Sequence, residues 1–135
     1  MIAMLRGRAH HIDGSRAIIE VQGVGYEVFA STRDLTDWLA NKGEVEVHVS
    51  TQVREDAIAL YGFSRALDRG TFERLLAVGG VGPKVALSAL DAMSTEQLAQ
   101  AVETSDITAL SRINGVGKKT AQRIQHMLKT GKPLR

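Results

Sequence analysis

The sequence predicts an α+β chain of two domains: a small five-stranded barrel over residues 1–63, then an all-helical domain over residues 64–135. Three observations predict it. The first 63 residues are rich in β-branched side chains, with clean alternation at Glu44-Val45-Glu46-Val47-His48-Val49. At Ser64 the hydrophobic period changes from 2 to 3–4. The second half also contains one stretch twice, Gly80-Val81-Gly82-Pro83-Lys84-Val85-Ala86 and Gly115-Val116-Gly117-Lys118-Lys119-Thr120-Ala121. The copies lie 35 residues apart with Gly, Val, Gly, Lys and Ala in register. A period of this length marks a duplicated supersecondary unit.

Taken in order, strands are predicted over residues 1–8, 18–21, 26–29, 44–49 and 57–61. Asp13-Gly14 and Gly23-Val24-Gly25 are the turn signals between the early ones. Ser31-Thr32-Arg33-Asp34 reads as a capping box opening a short helix through Leu39, which ends near Asn41-Lys42-Gly43. Five strands with a helix between the third and fourth match an OB-fold, a small closed barrel that leaves few edges exposed. The domain is poor in aromatics and net acidic, which argues against a platform that stacks single-stranded bases.

Ser64 is predicted to cap a helix carrying Phe72, Leu75 and Leu76 up to Gly79-Gly80. Pro83 suits the first turn of the next helix, whose buried stripe is Ala86, Leu87, Leu90 and Met93. Ser94-Thr95-Glu96-Gln97 is a second capping box, followed by Leu98, Ala101 and Val102. Ser105 or Asp106 caps a short helix with Ile107, Leu110 and Ile113. The last helix runs from Lys118 to about Thr130, buries Ala121, Ile124 and Leu128, and stops near Gly131 and Pro133.

Each repeated stretch predicts a helix, a Gly-x-Gly turn and a second helix. The glycines permit positive φ and leave no side chain between backbone and ligand. The second helix then points free N–H groups and its positive dipole end out of the turn, which makes an anion site. The candidate phosphate-binding residues are Gly80, Val81, Gly82 and Lys84 in the first copy. In the second they are Gly115, Val116, Gly117, Lys118, Lys119 and, one turn on, Arg123. Such contacts hold a nucleic-acid backbone without reading bases.

Charge agrees. The net charge of +2 conceals six basic and nine acidic residues over 1–63, against eleven basic and six acidic over 64–135. From Arg112 to Arg135 there are seven basic residues and no acidic one, which points to a polyanionic partner. The chain has no cysteine, which excludes disulfides and thiolate metal sites and fits a reducing compartment. No apolar run reaches the roughly 20 residues that span a bilayer, and the N-terminus lacks the order of a secretion signal. The expected location is the cytoplasm, with no membrane contact.

Val53-Arg54-Glu55-Asp56 places two adjacent carboxylates on a loop between the fourth and fifth strands. Read from the residues alone, they keep a turn wet, bind a metal or act as catalytic acids, with the solvated turn favoured. His10-His11, His48 and His126 lack partners at metal-ligand spacing, so no metal, cofactor or catalytic residue is predicted.

Together with Leu60-Tyr61-Gly62-Phe63, these motifs resemble the RuvA family over essentially the whole chain. Its members are DNA-binding subunits of the bacterial Holliday junction branch migration complex. The resemblance implies structure-specific, sequence-independent binding of four-way junction DNA in recombination, repair and the SOS response to DNA damage. It implies a homotetramer, single or paired, in which paired helix-hairpin-helix motifs hold each duplex arm. Glu55 and Asp56 then become an acidic pin, eight carboxylates facing the crossover, which reverses the wet-turn reading. The family's partners are the RuvB ATPase and the RuvC resolvase. Members continue into a third domain that docks RuvB; the sequence ends at Arg135 without it, so the RuvB contact is expected to be lost. The alternatives are a helix-hairpin-helix repair enzyme of the glycosylase or lyase kind, and a generic duplex-binding adaptor. The leading reading is not an enzyme.

Overall fold

The computed structural model describes residues 1–131 and 134, and the chain divides into two compact units, Met1–Arg69 and Gly70–Arg135. In the first, β1 (Met4–Asp13), β2 (Arg16–Val21), β3 (Val24–Phe29), β4 (Val45–Val53) and β5 (Ile58–Phe63) close a barrel in the order β1-β2-β3-β5-β4. Every pair is antiparallel except β3 with β5. The alternation supplies the core: Ala17 and Ile19 of β2 and Val45, Val47 and Val49 of β4 are buried. Helix α1 (Thr32–Ala40) joins β3 to β4 and plugs that end of the barrel with Leu35 and Trp38.

The first strand runs past residue 8 to Asp13 because it serves two partners. Met4–Gly7 pairs with β4 and Arg8–Asp13 with β2, so a polar stretch containing His10 and His11 is held as strand. The turn after β2 is Gln22-Gly23, both at positive φ, as a two-residue hairpin loop requires. Val24 and Gly25 therefore belong to the β3 ladder, opposite Val21 and Glu20.

The start of α1 also differs from expectation. Ser31 Oγ accepts from the Asp34 N–H at 3.2 Å, but the reciprocal half of the box is missing. Asp34 Oδ2 accepts instead from the Ser64 N–H at 3.2 Å. Ser64 is thus not a helix cap. Helix α2 (Ala66–Leu76) begins two residues later, where the Arg65 carbonyl accepts from the Asp68 and Arg69 N–H groups.

The helical unit continues with α3 (Pro83–Ala92), α4 (Thr95–Glu103), α5 (Ile107–Ser111) and α6 (Lys118–Thr130). Phe72, Leu75, Leu90, Leu98, Val102, Leu110, Ile124 and Leu128 form its core. In α3 the buried stripe is Ala86, Ala89 and Leu90; Leu87 is half-buried, and Met93 is the residue that caps the helix. Asp106, not Ser105, caps α5, accepting from the Ala109 N–H at 3.0 Å. The predicted stop at Gly131 holds, while Pro133 lies outside the described residues.

The box at α4 is complete. Ser94 Oγ accepts from the Gln97 N–H at 3.1 Å, and Gln97 Oε1 accepts from the Ser94 N–H at 2.9 Å. Next to it, fully buried Thr95 donates to Thr71 Oγ1 at 3.1 Å, tying α4 to α2. Ser94→Ala is expected to lower stability by about 1 kcal/mol, read as a lower urea midpoint with an unchanged slope.

Candidate nucleic-acid interface

The two repeated stretches fold into the same backbone. In the first, the Val78 N–H donates to Leu75 at 3.0 Å and the Val81 N–H to Val78 at 3.1 Å. In the second, the Ile113 N–H donates to Leu110 at 3.3 Å and the Val116 N–H to Ile113 at 3.0 Å. Gly80 and Gly115 both have φ +87°, a conformation other residues rarely adopt. Gly82 and Gly117 are both extended N-caps. The middle residues, Val81 and Val116, are buried and fasten each turn to the core, while the glycines on either side stay exposed.

Neither N-cap supplies a side-chain hydrogen bond. The helical ladders begin with the Ala86 N–H to Gly82 and the Ala121 N–H to Gly117, each at 2.9 Å. The N–H groups ahead of them have no place in the ladder. These belong to Gly82, Lys84 and Val85 in the first hairpin, and to Gly117, Lys118, Lys119 and Thr120 in the second. Pro83 presets the first turn of α3 and removes one donor.

The hairpins also hold each other. A β-carbon on Gly80 would sit 3.4 Å from Thr120 Oγ1 and 3.5 Å from Arg123 Nη1. One on Gly115 would sit 2.9 Å from Val85 Cγ2. Val85 and Thr120 are themselves 35 residues apart, so each turn rests on the first turn of the other hairpin's second helix. This reciprocal packing brings the two uncapped helix N-termini together.

Lys84, Lys118, Lys119 and Arg123 are exposed, and among the described residues none of them takes part in an ion pair or side-chain hydrogen bond. Arg6, Arg16 and Arg65 are by contrast paired with Glu46, Asp13 and Glu27, and Asp68. An open groove of about 540 Å³ is lined by Gly79, Lys119, Gln122, Arg123, His126 and Met127. Thr120, Gln122 and His126 lie beside the predicted residues without being among them. The signals were available: Thr120 is the 35-residue counterpart of Val85, and residues 119, 122, 123 and 126 follow the helical i, i+3, i+4, i+7 stripe.

Glu55 and Asp56 lie in the other unit, exposed at the tip of the β4–β5 hairpin. The Arg54 N–H donates to the Ala57 carbonyl at 2.8 Å, and Val53 opposite Ile58 is the last ladder pair. Arg54 also bears on Tyr61, whose phenol is pushed up by burial while the Arg54 charge pulls the other way. Among the described residues no group of three or more His, Cys, Asp or Glu is placed to hold a metal ion. No helix among them is long and apolar enough to cross a membrane.

Comparison with known proteins finds a match in each half of the chain. The family described as RuvA N terminal domain matches residues 1–62, and that described as SAM-like helix-hairpin-helix tandem matches residues 72–130. Similar curated proteins are each named Holliday junction branch migration complex subunit RuvA. That of Acidobacterium capsulatum is 46% identical over 129 residues, covering 96% of this chain and 65% of the relative. That of Bifidobacterium adolescentis is 47% identical over 124 residues, covering 92% and 60%. That of Pelobacter propionicus is 44% identical over 132 residues, covering 96% and 65%. The chain thus spans about three fifths to two thirds of the length of these relatives. It is similar to the RuvA N terminal domain over its first part and to the helix-hairpin-helix tandem over its second.

Proposed function

We propose that this chain binds four-way DNA junctions by their phosphates, independently of sequence, as the DNA-binding subunit of a branch migration complex. The observation that carries the reading is the reciprocal pair of hairpins, with two uncapped helix ends side by side and four unpaired cations around them. Backbone N–H groups and point charges grip phosphate oxygens but see no base edge. Four subunits around one centre would engage several arms at once, and the Glu55 and Asp56 tips would face the crossover. Movement of the crossover is left to a separate ATPase motor of the RuvB kind, and cleavage to a RuvC-type resolvase. The cysteine-free composition suits the cytoplasm. A gel assay for base release from damaged duplex separates this reading from a helix-hairpin-helix repair enzyme, in which release would be seen.

The test is competition between a four-way junction and linear duplex of the same sequence, with sedimentation to give the assembled mass. Junction preference of about 10²–10⁴ is expected from multivalent engagement. Affinity should fall steeply between 50 and 200 mM salt, with a log–log slope of about −0.9 per phosphate contacted. Lys84→Ala with Lys119→Ala should weaken all junction sequences alike and flatten that slope. A flat salt response, or a loss confined to one sequence, would overturn the reading.

A further inference from the structure

The barrel has one plugged end and one open end. Helix α1 closes the first with Leu35 and Trp38. The open end is where β2 finishes at Val21, β3 starts at Val24, β4 finishes at Val53 and β5 starts at Ile58. The N-terminal residues run along it, since Thr51 Oγ1 donates to the Ile2 carbonyl and the Val49 N–H to the Ala3 carbonyl.

This end is apolar and uncovered. Val45, Val47 and Val49 of β4 are buried, and Val53 continues the same period-two stripe beyond the barrel's rim. Ile58 does the same on β5, two residues ahead of buried Leu60. The core-facing side of the β4–β5 ribbon thus runs out into solvent, leaving Val53 62% and Ile58 70% exposed. Val24, at the matching end of β3, is 53% exposed. Ile2, Val21 and Tyr26 are partly buried beneath them, against the core. Exposed aliphatic residues gathered at one end of a small domain mark a contact surface.

We infer that Val53 and Ile58 form an aliphatic wedge for base faces exposed where strands part at the crossover, beside the carboxylates of Glu55 and Asp56. The inference rests on the junction-binding reading and adds to it the group that this tip would touch. The charge pattern selects the occupant. Glu55 and Asp56 follow Val53 within three residues and hold phosphates off by like charge. A surface that repels the backbone and offers hydrocarbon accepts what the backbone carries: neutral bases turned out of the stack. Aliphatic side chains serve this way where proteins unstack base steps. A second copy of the chain fits less well. Mouth against mouth would bring two acidic tips together, and each stays net negative even with Arg54 counted. Contact through hydrocarbon is also blind to base identity, since aliphatic carbon neither donates nor accepts a hydrogen bond.

The test places 2-aminopurine at the crossover, or within one arm, of a four-way junction. The wild-type chain is compared with V53T/I58T, whose residues keep their β-branched shape on an exposed surface, and with V53L/I58L. Wild type should raise crossover emission and leave arm emission unchanged. V53T/I58T should lose at least half of that rise and bind the junction about three- to tenfold more weakly. Its linear-duplex affinity and sedimented mass should stay the same. V53L/I58L should retain the rise. An unchanged rise and affinity in V53T/I58T, with wild type still preferring junctions, overturns this inference alone. A fall in sedimented mass with V53T/I58T overturns it in favour of contact between copies. Absence of junction preference in wild type removes the underlying reading as well.

Discussion

Gly115→Ala is expected to weaken junction binding about tenfold or more and Gly80→Ala distinctly less, although both glycines have φ +87°. A β-carbon in the left-handed region costs each variant about 1–2 kcal/mol. The surroundings separate them. At Gly80 the new carbon would lie 3.4 Å from Thr120 Oγ1, a distance the neighbour can relieve by a small shift. At Gly115 it would lie 2.9 Å from Val85 Cγ2, closer than real contacts allow. Val85 is β-branched and stiff at χ1, so it does not swing aside. It sits in the first turn of α3, next to Lys84 and the free N–H groups of the other hairpin. Damage in the second hairpin is therefore passed to the first.

Val85→Ala in the Gly115→Ala background should recover the packing part of the loss but not the backbone part. The coupling, read from a double-mutant cycle, should be about 0.5–3 kcal/mol. Junction affinity and urea unfolding of wild type, both single variants and the double variant supply the numbers. Equal losses for Gly80→Ala and Gly115→Ala, with no recovery by Val85→Ala, would show that the turns act separately.

That coupling marks the line between what the sequence displays and what it hides. The duplication, the Gly-x-Gly turns and the lysines beside them are local, and they are legible because a 35-residue repeat fixes identical backbones at both copies. The barrel strands were legible wherever one face is buried and the other wet, as in β4. The end of β1 was not, because His10 and His11 are held in strand by β2 rather than by their own pattern. The capping signal at Ser31 was half right. Asp34 has a better acceptor role thirty residues away at Ser64, and local pattern cannot weigh a distant partner. The same holds for Gly80 against Thr120 and Gly115 against Val85: each residue is visible alone, and their juxtaposition appears only in three dimensions. Val53 and Ile58 are the converse case. From the sequence the fourth strand ends at Val49 and Val53 falls in the loop, whereas the ladder with β5 carries β4 on to Val53, and the barrel ends before it can bury either residue.

Replacing both Glu55 and Asp56, by Gln and Asn, is expected to tighten junction binding at low salt, against the usual outcome of removing charge from a DNA-binding protein. The two carboxylates are exposed at the β4–β5 tip, and among the described residues neither is held in an ion pair. They stabilise nothing that their loss would unravel; the turn is closed by the backbone bond from Arg54 to Ala57. In a tetramer, eight such charges would face phosphates at the crossover. Each pair at about 10 Å in water contributes only a few tenths of a kcal/mol. Summed over several phosphates and partly screened, the repulsion comes to about 1–2 kcal/mol, or roughly tenfold in affinity. Linear duplex, which need not reach the centre, should respond much less. The gain should shrink as salt rises, because the Debye length falls from about 10 Å at 0.1 M to about 3 Å at 1 M. On the proposed reading tighter binding would not be better function: without the repulsion, strands parted at the crossover would lose a field that helps to separate them, and 2-aminopurine emission there should drop while affinity climbs. Junction affinity of wild type and the double variant at two salt concentrations decides it. A correctly assembled variant that binds no more tightly at low salt would return Glu55 and Asp56 to the role of a solvated turn.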